Sequence, residues 1–205
     1  MVTRRRAAGN PATAAGAPGA ANGQPCGSLG RVLARIFKQV RPEILDLGPL
    51  CGQTVTYLAE RGARVSVEPF EPPNPVAEDV DDPAPRPSIR FDQPDGQFDL
   101  VLAWEHLDFI PPESLPEFAE EISRVLRDSG WLFLFSQMAK PSGPEQPSRF
   151  RLLADDLIVR ENSGLPARRR WASSTRDIER ALKGFSIQGV QLQRNQMREF
   201  SAVKA

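Results

Sequence analysis

Apolar and polar positions along this chain alternate between two periods, and the switches between them outline its elements. From Leu29, apolar residues recur at Val32, Leu33, Ile36, Phe37 and Val40, the spacing of one helix face. Ser28 stands where an N-cap belongs, and Pro42 stands where that helix must stop. Ile44-Leu45-Asp46-Leu47-Gly48 then reads as a short buried strand meeting a turn. A helix over 54–61 and a strand over 64–68 complete a β-α-β unit. Residues 69–87 hold seven prolines and mostly acids otherwise, which excludes a stable helix. A short strand is expected over Ser88 to Phe91, and buried strands over Phe98 to Ala103 and Trp131 to Phe135. Between the last two, Leu115, Phe118, Ala119, Ile122, Val125 and Leu126 form the strongest helical stripe. Ser114 and Glu117 are spaced as its capping box, and Gly130 closes it.

The last third changes character. Phe150 to Val159 is apolar and extended in pattern, and Ser163 to Arg170 reads as a basic loop. A helix over Asp177 to Lys183 ends at Gly184. Phe185 to Leu192 and Met197 to Val203 read as strands joined by a tight turn at Arg194-Asn195, hence antiparallel. Alternating β and α units followed by a hairpin predict an α/β fold, a mostly parallel doubly wound sheet with antiparallel C-terminal strands. Residues 1–27 are Ala, Gly, Pro and Asn with Arg4, Arg5 and Arg6, and read as a disordered basic tail. That leaves 28–205 as one domain. The tail has neither the apolar run of a secretory signal nor the serines of a transit peptide, so neither is expected.

Composition narrows the class. With 205 residues, 40% of them hydrophobic, the chain suits a single core, and no run approaches the ~20 apolar residues of a membrane span. Its 26 basic and 26 acidic side chains cancel, but unevenly along the sequence. Nine basic and three acidic residues run to Val67, four and sixteen from Glu68 to Asp128, and thirteen and seven thereafter. Nucleic acid as a partner therefore rests only on the two basic ends. Cys26, Cys51 and the single histidine, His106, make neither a disulfide scaffold nor a metal-ligand set, and a reduced cytoplasmic setting is expected.

Candidate chemistry sits at the first strand-to-helix turn, Asp46-Leu47-Gly48-Pro49-Leu50-Cys51-Gly52. Doubly wound sheets bind ligands outside the carboxyl ends of their strands, and glycines let the backbone approach a ligand closely. Glu68 ends the next strand, about where such folds place a carboxylate on a ribose diol. The G-x-G-x-x-G spacing of a dinucleotide site is absent, as is the Gly-Lys-Ser/Thr of a P-loop.

With these blocks in order, the chain resembles the class I S-adenosylmethionine-dependent methyltransferases over roughly residues 29–203. The matching segments are Ile44 to Gly48 with Gly52, Gly62 to Glu68, Phe98 to Trp104, Ile122 to Leu132, and Leu182 to Phe185 before the hairpin. The resemblance implies a seven-stranded sheet of order 3-2-1-4-5-7-6 with strand 7 antiparallel, and S-adenosylmethionine as cofactor. Asp46, Gly48 and Gly52 would then surround its methionine part, Glu68 would take the ribose hydroxyls, Asp92 would meet the adenine, and Trp104 would lie beneath the transferred methyl. An unidentified methyl acceptor would lie over Trp104 to Phe109, with His106 as a candidate base or a capping residue. The chain departs from the family at Leu50, where glycine is usual, at Pro49, and in the Pro-rich 69–87 segment. Those departures leave an alternative, a methyltransferase-like binding or scaffold protein without catalysis.

Overall fold

The computed structural model describes residues 23–69, 89–138 and 142–205. The first 22 residues of the expected tail and nearly all of the Pro-rich segment lie outside the described residues. In chain order the elements are β1 (Gln24–Pro25), α1 (Gly27–Ile36), β2 (Glu43–Asp46), α2 (Gly52–Glu60), β3 (Arg64–Val67) and β4 (Phe98–Trp104). Two short 3-10 turns then lead into α3 (Leu115–Val125) and β5 (Leu126–Gln137). After these come β6 (Ser148–Ala154), β7 (Leu157–Asn162), α4 (Thr175–Ala181), β8 (Phe185–Leu192) and β9 (Met197–Lys204).

The main sheet has the order β3-β2-β4-β5-β9-β8. Its first four strands are parallel, and β9 runs antiparallel to both β5 and β8. The fold class is the expected one, but among the described residues the sheet has six strands rather than seven. The strand expected over Ser88 to Phe91 does not form among its described residues. The Ile89 and Phe91 amides instead donate to Glu117 Oε1 (2.9 Å) and Glu121 Oε1 (2.7 Å) on α3, which satisfies them without a ladder. The same contact explains why Ser114 and Glu117 form no capping box, since Glu117 is turned toward Ile89.

Other boundaries move for similarly local reasons. Ser28 is not the N-cap of α1: its amide donates to Glu199 Oε2 of β9 at 2.8 Å, so a carboxylate from the sheet serves the helix N-terminus. The domain correspondingly begins before Ser28, because Gln24–Pro25 pairs with β7. Helix α1 stops at Ile36 because the Lys38 and Gln39 amides tighten onto the carbonyls of Arg35 and Ile36, which strands Val40 in solvent. Gly130 lies within β5 rather than closing α3. A Cβ there would sit 2.8 Å from the Arg127 carbonyl and 3.1 Å from that of Phe98, an approach only glycine allows. The Phe150 to Val159 stretch is a hairpin, β6 and β7, turning at Asp155-Asp156, and β1 adds to it as a third strand. Helix α4 begins at Thr175 because Ser174 and Asp177 cap each other reciprocally.

Two apolar layers flank the sheet. Leu115, Phe118, Ile122 and Val125 of α3, with Ile178 of α4, pack on one face. Leu29, Leu33 and Ile36 of α1, Leu58 of α2, and Phe150 and Ile158 of the small sheet pack on the other. The carboxyl ends of β2 and β4 meet at the boundary between these layers.

The loop before β4 is lashed to α3 chiefly by Glu121, which accepts from Phe91 N and ion-pairs with Arg124. Arg124 in turn reaches the carbonyls of Phe91 and Gln93. Glu121→Ala therefore leaves a buried amide and a guanidinium partly unpaired, and should cost about 2–3 kcal/mol in urea unfolding. A loss below ~0.5 kcal/mol would show that the loop is held by other contacts.

Candidate functional site

Strand order reverses at β2, because the chain places β3 on one side of it and β4 on the other, and this opens a crevice at the strand ends. Asp46 closes β2 and is 2% exposed. Its Oδ1 accepts from the Gly48 amide at 2.9 Å and from the Trp104 indole Nε1–H at 2.6 Å. Burial pushes the Asp46 carboxyl up to about 6, against the pull of those two donors. Trp104 ends β4 with φ of +44°, a left-handed backbone that a bulky residue rarely adopts. The indole is held in place from three sides. It stacks on Phe150 with centroids 4.9 Å apart and planes 8° from parallel, and on Phe135 at 6.2 Å. Its edge lies over Gly48, where a Cβ would meet Trp104 Cδ1 at 2.6 Å. Glycine at 48 is thus required by the tryptophan.

The other end of the turn is open. A Cβ at Gly52, the first residue of α2, would meet nothing within 4 Å, and Leu50 is 62% exposed. Glu68 continues β3, its amide donating to the Asp46 carbonyl at 2.9 Å, so the two acids are neighbours at the crevice. Glu68 Oε1 accepts from the Asp92 amide at 2.7 Å, whereas its Oε2 is buried with no hydrogen-bond partner. Asp92 itself is exposed. Asp46, Gly48, Gly52, Glu68, Asp92 and Trp104 therefore gather around the ends of three adjacent strands. His106 lies one step further, 7% exposed, its Nδ1–H donating to the Ala103 carbonyl at 2.6 Å.

The family described as "Methyltransferase domain" matches residues 22–188 of the chain. The chain belongs to that family. No curated protein matches it in sequence. Among solved structures, it is similar to an S-adenosylmethionine-dependent methyltransferase from Mesorhizobium loti at 14% identity and a TM-score of 0.56, covering 87% of this chain and 96% of that one. A putative enzyme of the same kind from Listeria monocytogenes gives 16% identity and 0.52 over 87% and 96%. One from Methanosarcina mazei gives 15% and 0.52 over 84% and 96%. The fold is thus that of S-adenosylmethionine-dependent methyltransferases.

This methyltransferase domain also carries site residues that motif reading passed over. Glu105 and Asp108, on either side of His106, are 3% and 0% exposed. Glu105 accepts from the Ser148 amide at 2.5 Å and from Arg160 Nη2 at 2.8 Å. Asp108 accepts from Ser136 Oγ at 3.0 Å, from the Gln137 amide at 2.9 Å, and from Arg170. The residues after β4 are thereby clamped to β6, β7 and the segment before α4. Within the basic loop read over 163–170, Arg168 and Arg170 are buried at 8% and 5% exposure, and only Arg169 of the three consecutive arginines is exposed. The available signal was the sequence itself, acids flanking the strand end and arginines beyond Arg149, but pairing at this distance has no fixed spacing.

Asp46 gives the site a pH signature. With its folded value raised above an unfolded ~3.9, the native state holds the proton more tightly, so this residue's contribution to stability falls as pH rises from about 4 to 6. Asp46→Asn keeps an acceptor for Gly48 and Trp104 but does not ionise. Its stability relative to wild type should improve by as much as ~3 kcal/mol between pH 4 and 7. Urea unfolding across that range checks this, and a pH-independent difference would contradict it.

Proposed function

We propose that this chain transfers the S-methyl group of S-adenosylmethionine to an acceptor bound over the ends of β4 and β5. The observation that carries the reading is Glu68 Oε2, a buried carboxylate oxygen without a partner at the end of β3. A carboxylate oxygen left without a donor is matched by a hydroxyl of a vicinal diol. The three solved structures named above are of S-adenosylmethionine-dependent methyltransferases, which supports the same cofactor here.

In this arrangement Glu68 holds the ribose, with Asp92 beside it for the adenine. The open Leu50–Gly52 side of the turn receives the methionine part, near the free amides at the start of α2. Asp46 acts through Trp104, fixing the indole as the inner wall of the turn. When bound, the cofactor supplies an electrophilic methyl on sulfonium sulfur. What the chain contributes is alignment and exclusion of water, chiefly through the aromatic stack of Trp104, Phe135 and Phe150. Leu50, the main departure from the family pattern, is largely in solvent, so no observation favours the scaffold reading over catalysis.

Calorimetric titration with S-adenosylhomocysteine tests this. Wild type should bind with a micromolar Kd. Glu68→Gln, which keeps an acceptor for the Asp92 amide, should weaken binding ~10-fold and Glu68→Ala ~100-fold. Absence of binding by wild type to both S-adenosylmethionine and S-adenosylhomocysteine would overturn the reading.

A further inference from the structure

Arginines around the clamped region are met by carboxylates: Arg160 by Glu105, Arg170 by Asp108 and Glu145, Arg149 and Arg151 by Glu161. Arg198 is different. It is the second residue of β9, opposite Ser136 of β5, and is 4% exposed. Its Nη2 donates to Ser136 Oγ at 2.9 Å and to the Ser173 carbonyl at 2.5 Å, and its Nη1 to Thr175 Oγ1 at 2.9 Å. All three acceptors are neutral. Asp108 attracts the guanidinium, but its oxygens are occupied by Ser136, Gln137 and Arg170. The Phe200 ring lies 5.6 Å away and offsets part of the charge.

Two donors here have nothing to bind. Arg198 Nε is buried without a partner, and so is Ser173 Oγ, on a residue that is 6% exposed and already joined to Arg198 through its carbonyl. A water could satisfy both, but it would neutralise no charge. A buried guanidinium facing only neutral oxygens keeps an uncompensated charge, which an anion would neutralise. Ser136 sits near the end of β5, the strand next to β4, so this cluster flanks the crevice on the side away from Glu68.

We propose that Arg198 Nε and Ser173 Oγ anchor an oxyanion, a carboxylate or phosphate group carried by the methyl acceptor. The anchor holds one end of the acceptor beside β5, and the nucleophile extends back toward the end of β4. Naming the ligand as the acceptor rests on the methyl-transfer reading; the oxyanion site does not.

Thermal shift and calorimetry on the full chain, with sodium acetate and sodium phosphate against sodium chloride at equal ionic strength, test the site. Either oxyanion should raise Tm beyond chloride, with a millimolar Kd. Arg198→Gln should weaken that binding at least 10-fold. Ser173→Ala loses no partner within the fold, so its unliganded Tm should match wild type while oxyanion binding weakens several-fold. Oxyanions acting no differently from chloride, or binding Ser173→Ala as tightly as wild type, would overturn the proposal. A protein that binds S-adenosylhomocysteine but shows no oxyanion effect would sink this inference alone. The converse would sink only the cofactor reading.

Discussion

The structure turns on one buried carboxylate. Asp46 holds the indole of Trp104 and the amide of Gly48 on a single oxygen, and through them it fixes two strand ends and the turn between. A left-handed tryptophan persists only where its surroundings over-determine it. Here the hydrogen bond, the glycine surface and the Phe150 stack do so together. Phe150 is itself fixed from beyond the main sheet, because its carbonyl accepts from Thr54 Oγ1 of α2 at 2.9 Å, and the Leu152 amide donates to the same hydroxyl at 3.1 Å. The small sheet, the helix after the glycine turn and the floor of the crevice are therefore one packed unit. Burial raises the ionisation cost of Asp46, and the site accepts that cost to keep the unit closed.

Charge arranges the other half of the site. In sequence, an acidic middle lies before a basic end, and in the fold the two meet. Arg160 and Arg170 pair with Glu105 and Asp108, and Lys204 pairs with Asp128. The net charge of zero is thus largely internal accounting between segments, and many of the basic residues of the last third are spent on carboxylates rather than displayed as a stripe for nucleic acid. Buried pairs of this kind contribute little net stability, but removing one partner leaves a charge that the interior cannot solvate. They specify how the C-terminal third sits on the sheet.

Much of this was legible in the sequence, and the limits are physical. The β-α-β unit, the strand at Phe98, the α3 stripe and the final hairpin are written in apolar periodicity, which depends only on neighbours along the chain. Glu68 could be singled out by its distance from a glycine turn, because strand and helix lengths fix where the next strand ends. The third family strand failed where side chains from α3 captured its amides, a tertiary competition that no local pattern reports. Ser28 failed as a cap for the same reason, since Glu199 reaches it from β9. The Trp104 indole lies against Gly48, a position set by a backbone angle that composition does not encode. Glu105, Asp108, Arg170 and Arg198 were invisible as a set, because their partners lie tens of residues away.

A crystal structure of the chain with S-adenosylhomocysteine tests the account most directly. The ribose hydroxyls should lie within hydrogen-bond distance of Glu68 Oε2, with the homocysteine part along the Leu50–Gly52 side of the turn and the Trp104 indole still joined to Asp46. A ribose placed away from Glu68, or a tryptophan displaced from Gly48 to admit the ligand, would contradict it.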